Sequence, residues 1–346
     1  MRKPQSDKPP LELRWGIIGC GDVCERKSGP AMRKVAGSSI VAVMRRDLEK
    51  AKDFARRHGV RRAYGSVDDL LADPLVNAVY VATPPAYHCE MTIRAAESGR
   101  PVLVEKPMAR TPEECRRMIR ACALNGVLLM VAYYRRFFPM TRRLTELLAD
   151  GSLGEVRHAR LYLTFASRIS PNDDRAWRWN PEISGGGQLM DIGSHRLDIL
   201  HHLFGPAAEV MAWTDPHPPD RVEKAVSATV TYQNGVVLSL LLDEGMAFPE
   251  DCLEIQGTRG RAVARPFDTN LTVHTAAGGR KSYSFQVPQP SHQLLIEHFR
   301  DVLRGEASPV IPGEEGMHAN LVIDAIYRSA AEGRAIAVEV PDLSGP

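Results

Sequence analysis

The strongest constraint on this chain sits at its first apolar run. Residues 14–24 read RWGIIGCGDVC: hydrophobic residues, then Gly19 and Gly21, then the start of a helical pattern. A glycine at a strand end permits a tight turn, and a second lets the backbone approach a diphosphate. The third position of such a motif wants a small residue, so that helix and strand can close on each other. Here Cys24 holds it. The sequel makes the motif informative. The runs RWGIIG, SIVAVM, NAVYVAT, PVLVEK and VLLMVAY recur up to Tyr133, separated by amphipathic stretches at 48–58, 89–98 and 111–125. Strand–helix alternation of this kind predicts a parallel sheet covered on both faces. Thr111-Pro112-Glu113-Glu114 predicts a capped helix start, with a hydroxyl for the free N–H groups, a proline in the first turn and acids for the dipole. Ser28-Gly29-Pro30 predicts a break in the first helix.

From about Val156 the pattern changes. Val226, Ala228, Val230 and Tyr232 alternate with Ser227, Thr229 and Thr231, and Gln233-Asn234-Gly235 supplies a hairpin turn. This predicts a mostly antiparallel sheet with one face on helices and the other open to water or to a second subunit. Helices are predicted again at 292–304 and 314–332. The expected fold class is therefore α/β: an N-terminal Rossmann dinucleotide-binding domain over 13–133, then an α+β domain over 134–346 with a large open, mostly antiparallel sheet for substrate binding and oligomerisation. Residues 1–12 are expected to be a disordered tail.

Composition narrows the function classes. The 44 basic and 42 acidic residues leave a net charge of +2, and paired arginines are spread along the chain, so nucleic acid is not implied. No apolar run approaches the ~18 residues of a membrane helix. The first residues lack the apolar core of a signal peptide, and the six cysteines form no CxxC pair. A cytoplasmic enzyme without a structural metal is the expectation.

Two segments carry chemistry. At the nucleotide end, Gly19, Cys20, Gly21, Asp22 and Val23 form the expected diphosphate loop. At the end of the second strand an NAD site carries an acid for the ribose 2′-hydroxyl, about 20 residues on. That position is Arg45, followed by Arg46, and guanidinium groups suit a 2′-phosphate. NADP is favoured over NAD; a shift of register would instead bring Asp47 to the acid's place. Further on, SGGGQLMDIGSHRLD spaces Asp191, His195 and Asp198 by four and three residues, with His202 beyond. On an α-helix these share one edge. Buried ion pairs, a metal site built on carboxylate and imidazole, or an acid/base pair with Asp191 fixing the tautomer of His195 would each suit that edge.

Together, GCGDVC, VATPPAYH (81–88), VEKPMA (104–109), VAYYRRF (131–137) and GGGQLMDIGSHRLD resemble the Gfo/Idh/MocA oxidoreductases, the glucose–fructose oxidoreductase and inositol dehydrogenase family. The motifs follow in order from about 13 to 340. The resemblance implies a two-domain NAD(P)-dependent oxidoreductase with Lys106 beside the nicotinamide, Asp191 and His195 in the substrate pocket, and Asp198 on substrate hydroxyls. It also implies a cis bond before Pro107. Thr83, Pro84, His88 and Glu105 join the cofactor set; Tyr134, Arg136 and Trp177 join the substrate set. The expected reaction moves a hydride between NADP(H) and a carbonyl or secondary alcohol of a sugar, anhydrosugar or cyclitol. In it His195 carries the proton, Lys106 polarises the oxygen, Asp191 orients His195, and the glycines let backbone pass close to cofactor or substrate. Cys24, the break at 28–30 and Arg45 depart from the family pattern. Rival readings are a metalloenzyme built on Asp191, His195 and His202, an NAD-retaining glycoside hydrolase acting by transient oxidation, and a non-catalytic NADP-binding regulator. The expected macromolecular partner is a second copy of the chain, giving a homodimer or homotetramer through the open sheet.

Overall fold

The computed structural model describes residues 12–166, 175–215 and 220–341. Apart from Glu12, the tail expected over 1–12 lies outside them.

Six parallel strands form the first sheet: β1 (Leu13–Ile18), β2 (Ser38–Met44), β3 (Arg62–Tyr64), β4 (Ala78–Val81), β5 (Val102–Val104) and β6 (Leu129–Val131). Their order is β3-β2-β1-β4-β5-β6. β1 is buried almost throughout, because a central parallel strand faces a helical layer on each side. The order reverses beside β1, which opens a crevice at the carboxyl ends of β1 and β4, where doubly wound sheets bind ligands. β3 was not anticipated; three half-buried residues carry too little hydrophobic pattern to announce a strand.

The helix signals hold. Asp47 caps the helix Leu48–His58 by accepting from Lys50 N at 3.1 Å. Thr111 caps Pro112–Leu124 by accepting from Glu114 N at 3.2 Å. The first helix runs Asp22–Arg26, breaks at Lys27 and resumes as Ser28–Lys34. Gly29 permits the break, since a Cβ there would lie 2.2 Å from the Cys24 carbonyl oxygen.

The second sheet has nine strands: β7 (Val156–Phe165), β8 (Ala207–Thr214), β9 (Ala225–Tyr232), β10 (Val237–Glu244), β11 (Glu250–Gly257), β12 (Gly260–Ala264), β13 (Asn270–Thr275), β14 (Arg280–Ser284) and β15 (Ile336–Ala337). Their order is β14-β13-β12-β11-β7-β10-β9-β8-β15. Only β7 and β10 pair in parallel; every other pair is antiparallel. The alternation of β9 is realised as expected: Val226, Ala228, Val230 and Tyr232 are buried while Ser227 and Thr229 are exposed. The helices Ser194–Phe204 and Gly313–Glu332 share one hydrophobic core with the buried face.

One helix crosses back. Gln293–Leu303 comes late in the chain, yet Leu295, Ile296 and Phe299 belong to the same core cluster as Trp15, Ile17 and Phe54. The Phe299 ring centre lies 5.0 Å from that of Trp15. Among the described residues no helix is long and apolar enough to cross a membrane.

Candidate active site

A cavity of about 1460 Å³ runs from the turn after β1, past the ends of β2, β4 and β5, to the helix Ser194–Phe204. It exceeds the usual range for one small ligand, roughly 300–1,000 Å³, and suits an extended cofactor together with a substrate.

Gly19 makes the turn at φ 92, with its N–H donated to the Met44 carbonyl at 2.9 Å. A Cβ there would lie 2.8 Å from Thr83 N, so the fold itself requires this glycine. Gly21 differs. A Cβ on it would meet nothing nearer than the Gly19 carbonyl oxygen, at 3.9 Å. Its bare backbone answers no packing need and leaves a cradle where a ligand can approach. Cys20, Asp22 and Val23 line the cavity beside it, while Cys24 is fully buried where helix meets strand. At the end of β2, Arg45 and Arg46 also line the cavity, and the Arg46 guanidinium sits 4.9 Å over the Tyr87 ring. The carboxylate of Asp47, the alternative acid, is engaged as the cap described above. Thr83 and Pro84 line the cavity from the end of β4. His88 lies outside the lining. It is buried, with Nε2 2.7 Å from the Thr83 carbonyl and Nδ1 3.0 Å from the Pro107 carbonyl, and so ties two cavity turns together.

At the other end, Lys106 follows β5, and the Lys106–Pro107 bond is cis as expected. Lys106 Nζ donates to the carbonyl of Asp191 at 2.7 Å and to its Oδ1 at 2.6 Å. Arg178 Nε donates to Asp191 Oδ2 at 3.0 Å. Burial opposes ionisation of Asp191, but Lys106 and Arg178 prevail and hold its carboxyl far below the usual range. Behind Lys106, Glu105 Oε1 accepts from the Tyr80 hydroxyl and lies 3.0 Å from His292 Nε2, while Oε2 accepts from the Lys106 backbone N–H at 3.2 Å. Burial raises the pKa of Glu105; His292, Tyr80 and Lys106 outweigh it and bring the value down to about 2.

His195 is 5% exposed and lines the cavity. Its ring stands edge-on to Tyr133 and Tyr134, at 5.8 and 5.0 Å between centres. Its Nδ1 is buried and has no hydrogen-bond partner among the described residues. Burial, reinforced by Lys106, Arg135, Lys27 and Arg196, pushes its pKa well below 6.5, so the imidazole is neutral. Tyr134 and Trp177 line the cavity nearby.

Two expectations need correction. First, Asp191 does not orient His195, because both of its oxygens are taken by Lys106 and Arg178. Second, Asp198 and Arg136 do not line the cavity. Arg136 Nε lies 3.0 and 3.1 Å from the two Asp198 oxygens, and both side chains are almost fully buried. Burial lifts the Asp198 carboxyl to about 6 even against Arg136. The predicted single edge fails because Leu189–Gly193 is wound as a π-helix before the α-helix begins at Ser194, and the wider turn breaks the i, i+4, i+7 line. His202 turns instead to Thr145 Oγ1, at 3.3 Å, so the metal set of Asp191, His195 and His202 is not assembled. The backbone of Gly186 and Gly187 lines the cavity, and packing also excludes a side chain from both. A Cβ on Gly186 would lie 2.1 Å from the Tyr327 hydroxyl oxygen, and one on Gly187 2.3 Å from the Glu223 carbonyl oxygen. Buried Glu223 accepts from Gly187 N at 2.8 Å and Leu189 N at 3.2 Å, anchoring the π turn.

Sequence reasoning missed Arg178, Tyr80, His292 and Glu223. Arg178 sits in RAWRW without a motif. Tyr80 hides in an apolar strand run, and His292 is 187 residues from its partner Glu105.

Comparison with known proteins supplies the context. Residues 13–133 match the model of an oxidoreductase family with an NAD-binding Rossmann fold, and residues 141–263 match the GFO/IDH/MocA C-terminal domain. Oxidoreductase P35 of Formosa agariphila is 36% identical over 82% of this chain and 89% of its own length. The 1,5-anhydro-D-fructose reductase of Ensifer adhaerens is 29% identical over 94% of this chain and 98% of its own. Among solved structures, the aldose–aldose oxidoreductase of Caulobacter crescentus, complexed with glycerol, superposes with a TM-score of 0.85 at 27% identity, covering 94% of this chain and 99% of that one.

Proposed function

The chain belongs to the Gfo/Idh/MocA family and is an NAD(P)-dependent dehydrogenase or reductase acting on CH–OH groups; from that premise we propose that its cofactor is NADP(H) and its substrate a sugar, anhydrosugar or cyclitol. The observation that carries the reading is that the bare backbone of Gly21, the pair Arg45–Arg46, Lys106 and His195 all open to one cavity. The sugar-acting relatives support the substrate class.

Gly19, Gly21, Asp22 and Val23 would hold the diphosphate, and Arg45 with Arg46 the 2′-phosphate. The chemistry supplied by a bound nicotinamide is hydride exchange with the substrate carbon, between carbinol and carbonyl. Lys106 Nζ spends two N–H bonds on Asp191 and keeps a third for the substrate oxygen, which it polarises. Asp191 and Arg178 fix that ammonium in place. His195, held neutral, takes the hydroxyl proton when the alcohol is oxidised and returns it when the carbonyl is reduced. Glu105 anchors the Lys106 backbone through its bonds to Tyr80 and His292. We assign 13–133 to the cofactor and 134–346 to substrate binding and assembly. Met211 and Trp213 stand exposed on β8, and their face of the open sheet is assigned to contact with a second copy.

Titration of the pure protein with NADPH and with NADH, repeated on Arg45→Asp, tests the cofactor. Tighter NADPH binding that the substitution reverses supports the reading; equal or tighter NADH binding overturns it. Turnover of ketoses, osones and cyclitols, with Lys106→Ala as control, tests the substrate class. Light scattering of the wild type and Trp213→Glu tests the assembly.

A further inference from the structure

The substrate end of the cavity gathers several cations. Lys27, Lys106, Arg135 and Arg178 all line it. The Lys27 ammonium lies 5.7 Å from the centre of the Tyr134 ring, and the Arg135 guanidinium 5.9 Å from the same ring. The carboxylates nearby are already committed. Asp191 is shared between Lys106 and Arg178, Glu105 is held by Tyr80 and His292, and Asp268 pairs with Arg135. Lys27 has no ion-pair partner among the described residues, and Arg135 Nε is buried without an acceptor. The two neutral groups at the centre register the field. Burial lowers His195, and Lys106, Arg135 and Lys27 lower it further. For Tyr134, burial raises the phenol, yet Arg135, Lys27 and Lys106 outweigh it and bring the pKa below 10. The proposed diphosphate cradle lies at Gly21, so it does not account for cations gathered around Tyr134 and His195.

We propose that the substrate of this site is a polyhydroxylated anion, whose carboxylate or phosphate lies against Lys27, Arg135 and Arg178 while a carbinol or carbonyl oxygen meets Lys106. The inference rests on the sugar-oxidoreductase reading above and narrows its substrate. Electrostatic complementarity selects such a molecule over its neutral counterpart, and the planar guanidinium groups match either anion.

Calorimetric titration of the NADPH-saturated enzyme tests it with matched probes: tartrate against erythritol, D-glucuronate against D-glucose, and D-glucose 6-phosphate beside both. The expected result is that anions bind at least tenfold more tightly than their neutral partners, with the preference reduced by Lys27→Gln or Arg135→Gln and by added NaCl. Tighter binding of the phosphate than of glucuronate identifies a phosphate group as the charge, and the reverse a carboxylate. If neutral probes bind as well as anions, or no anion binds while NADPH does, the inference is overturned and the oxidoreductase reading stands. If NADPH itself does not bind, both fall.

Discussion

Replacing Gly187 with alanine probes how this active site is built. Ordinary contacts of a Cβ begin near 3.4 Å, and the new methyl would lie 2.3 Å from the Glu223 carbonyl oxygen and 2.8 Å from its Oε1. Neither contact is a yielding side-chain tip, because Glu223 is 1% exposed and its carboxylate is fixed by two backbone N–H groups. The chain must therefore move by about 1 Å, which costs both N–H···carboxylate bonds. Hydrogen bonds to a charged group contribute about 1.5–3 kcal/mol each, so the expected loss is about 3–6 kcal/mol, a large part of a typical domain's 5–15 kcal/mol. The π turn carries Asp191, and its shift should also release Lys106 and lower turnover in whatever enzyme still folds. Urea unfolding followed by tryptophan fluorescence gives the stability, with Gly235→Ala as the comparison. That glycine has open space around it and φ 87, so it should cost only the left-handed backbone penalty of about 1–2 kcal/mol. A Gly187→Ala loss below about 1 kcal/mol, or no larger than that of Gly235→Ala, would refute the reasoning.

Three further outcomes follow from the site. Asp191→Asn removes the carboxylate that fixes both Lys106 and Arg178; kcat should fall about 100-fold while NADPH affinity stays near wild type, as steady-state kinetics and cofactor titration would show. Arg136→Met strands the buried Asp198 charge and should cost about 3–5 kcal/mol of stability in urea unfolding, with little change in cofactor affinity. Burial places the folded-state pKa values of His88, His195, His202, His298 and His318 below 6.5. The unfolded chain therefore binds more protons as pH drops below 6.5, and stability present above that value is lost toward the His318 value of about 4, at up to about 1.4 kcal/mol per unit for each group. Asp198 and Glu223, both raised by burial, pull the other way but are fewer, so Tm should fall between pH 7 and pH 5. A level or rising Tm would contradict this.

The local grammar of the chain was legible where the signal was local. The cap at Thr111 and the alternation of β9 each depend on neighbours within a few residues and appear as expected, while the break expected at Ser28-Gly29-Pro30 falls one residue earlier, at Lys27. Long-range polar pairing was not legible. Nothing around Asp198 indicates that Arg136, 62 residues earlier, will claim it. The trio Tyr80–Glu105–His292 is assembled from three distant segments in the same way. The π turn escaped because its sequence, LMDIG, fits an α-helix equally well, and its winding is set by Glu223 pulling on Gly187 and Leu189. The turn after β1 was legible for a related reason: its demand at Gly19 is made of backbone, and a glycine at a strand end records it.

The return of the helix Gln293–Leu303 bears on the order of synthesis. Trp15 leaves the ribosome well before Phe299, yet they cover one another. His292, at the head of that helix, likewise reaches Glu105 only after a further 187 residues have been made. The nucleotide-binding half therefore waits, with one apolar flank uncovered, until the second half has been made. A fragment ending near residue 133 should be sticky and loose rather than a small independent binder, and a nascent chain of this protein should lean on chaperones until that helix has been made.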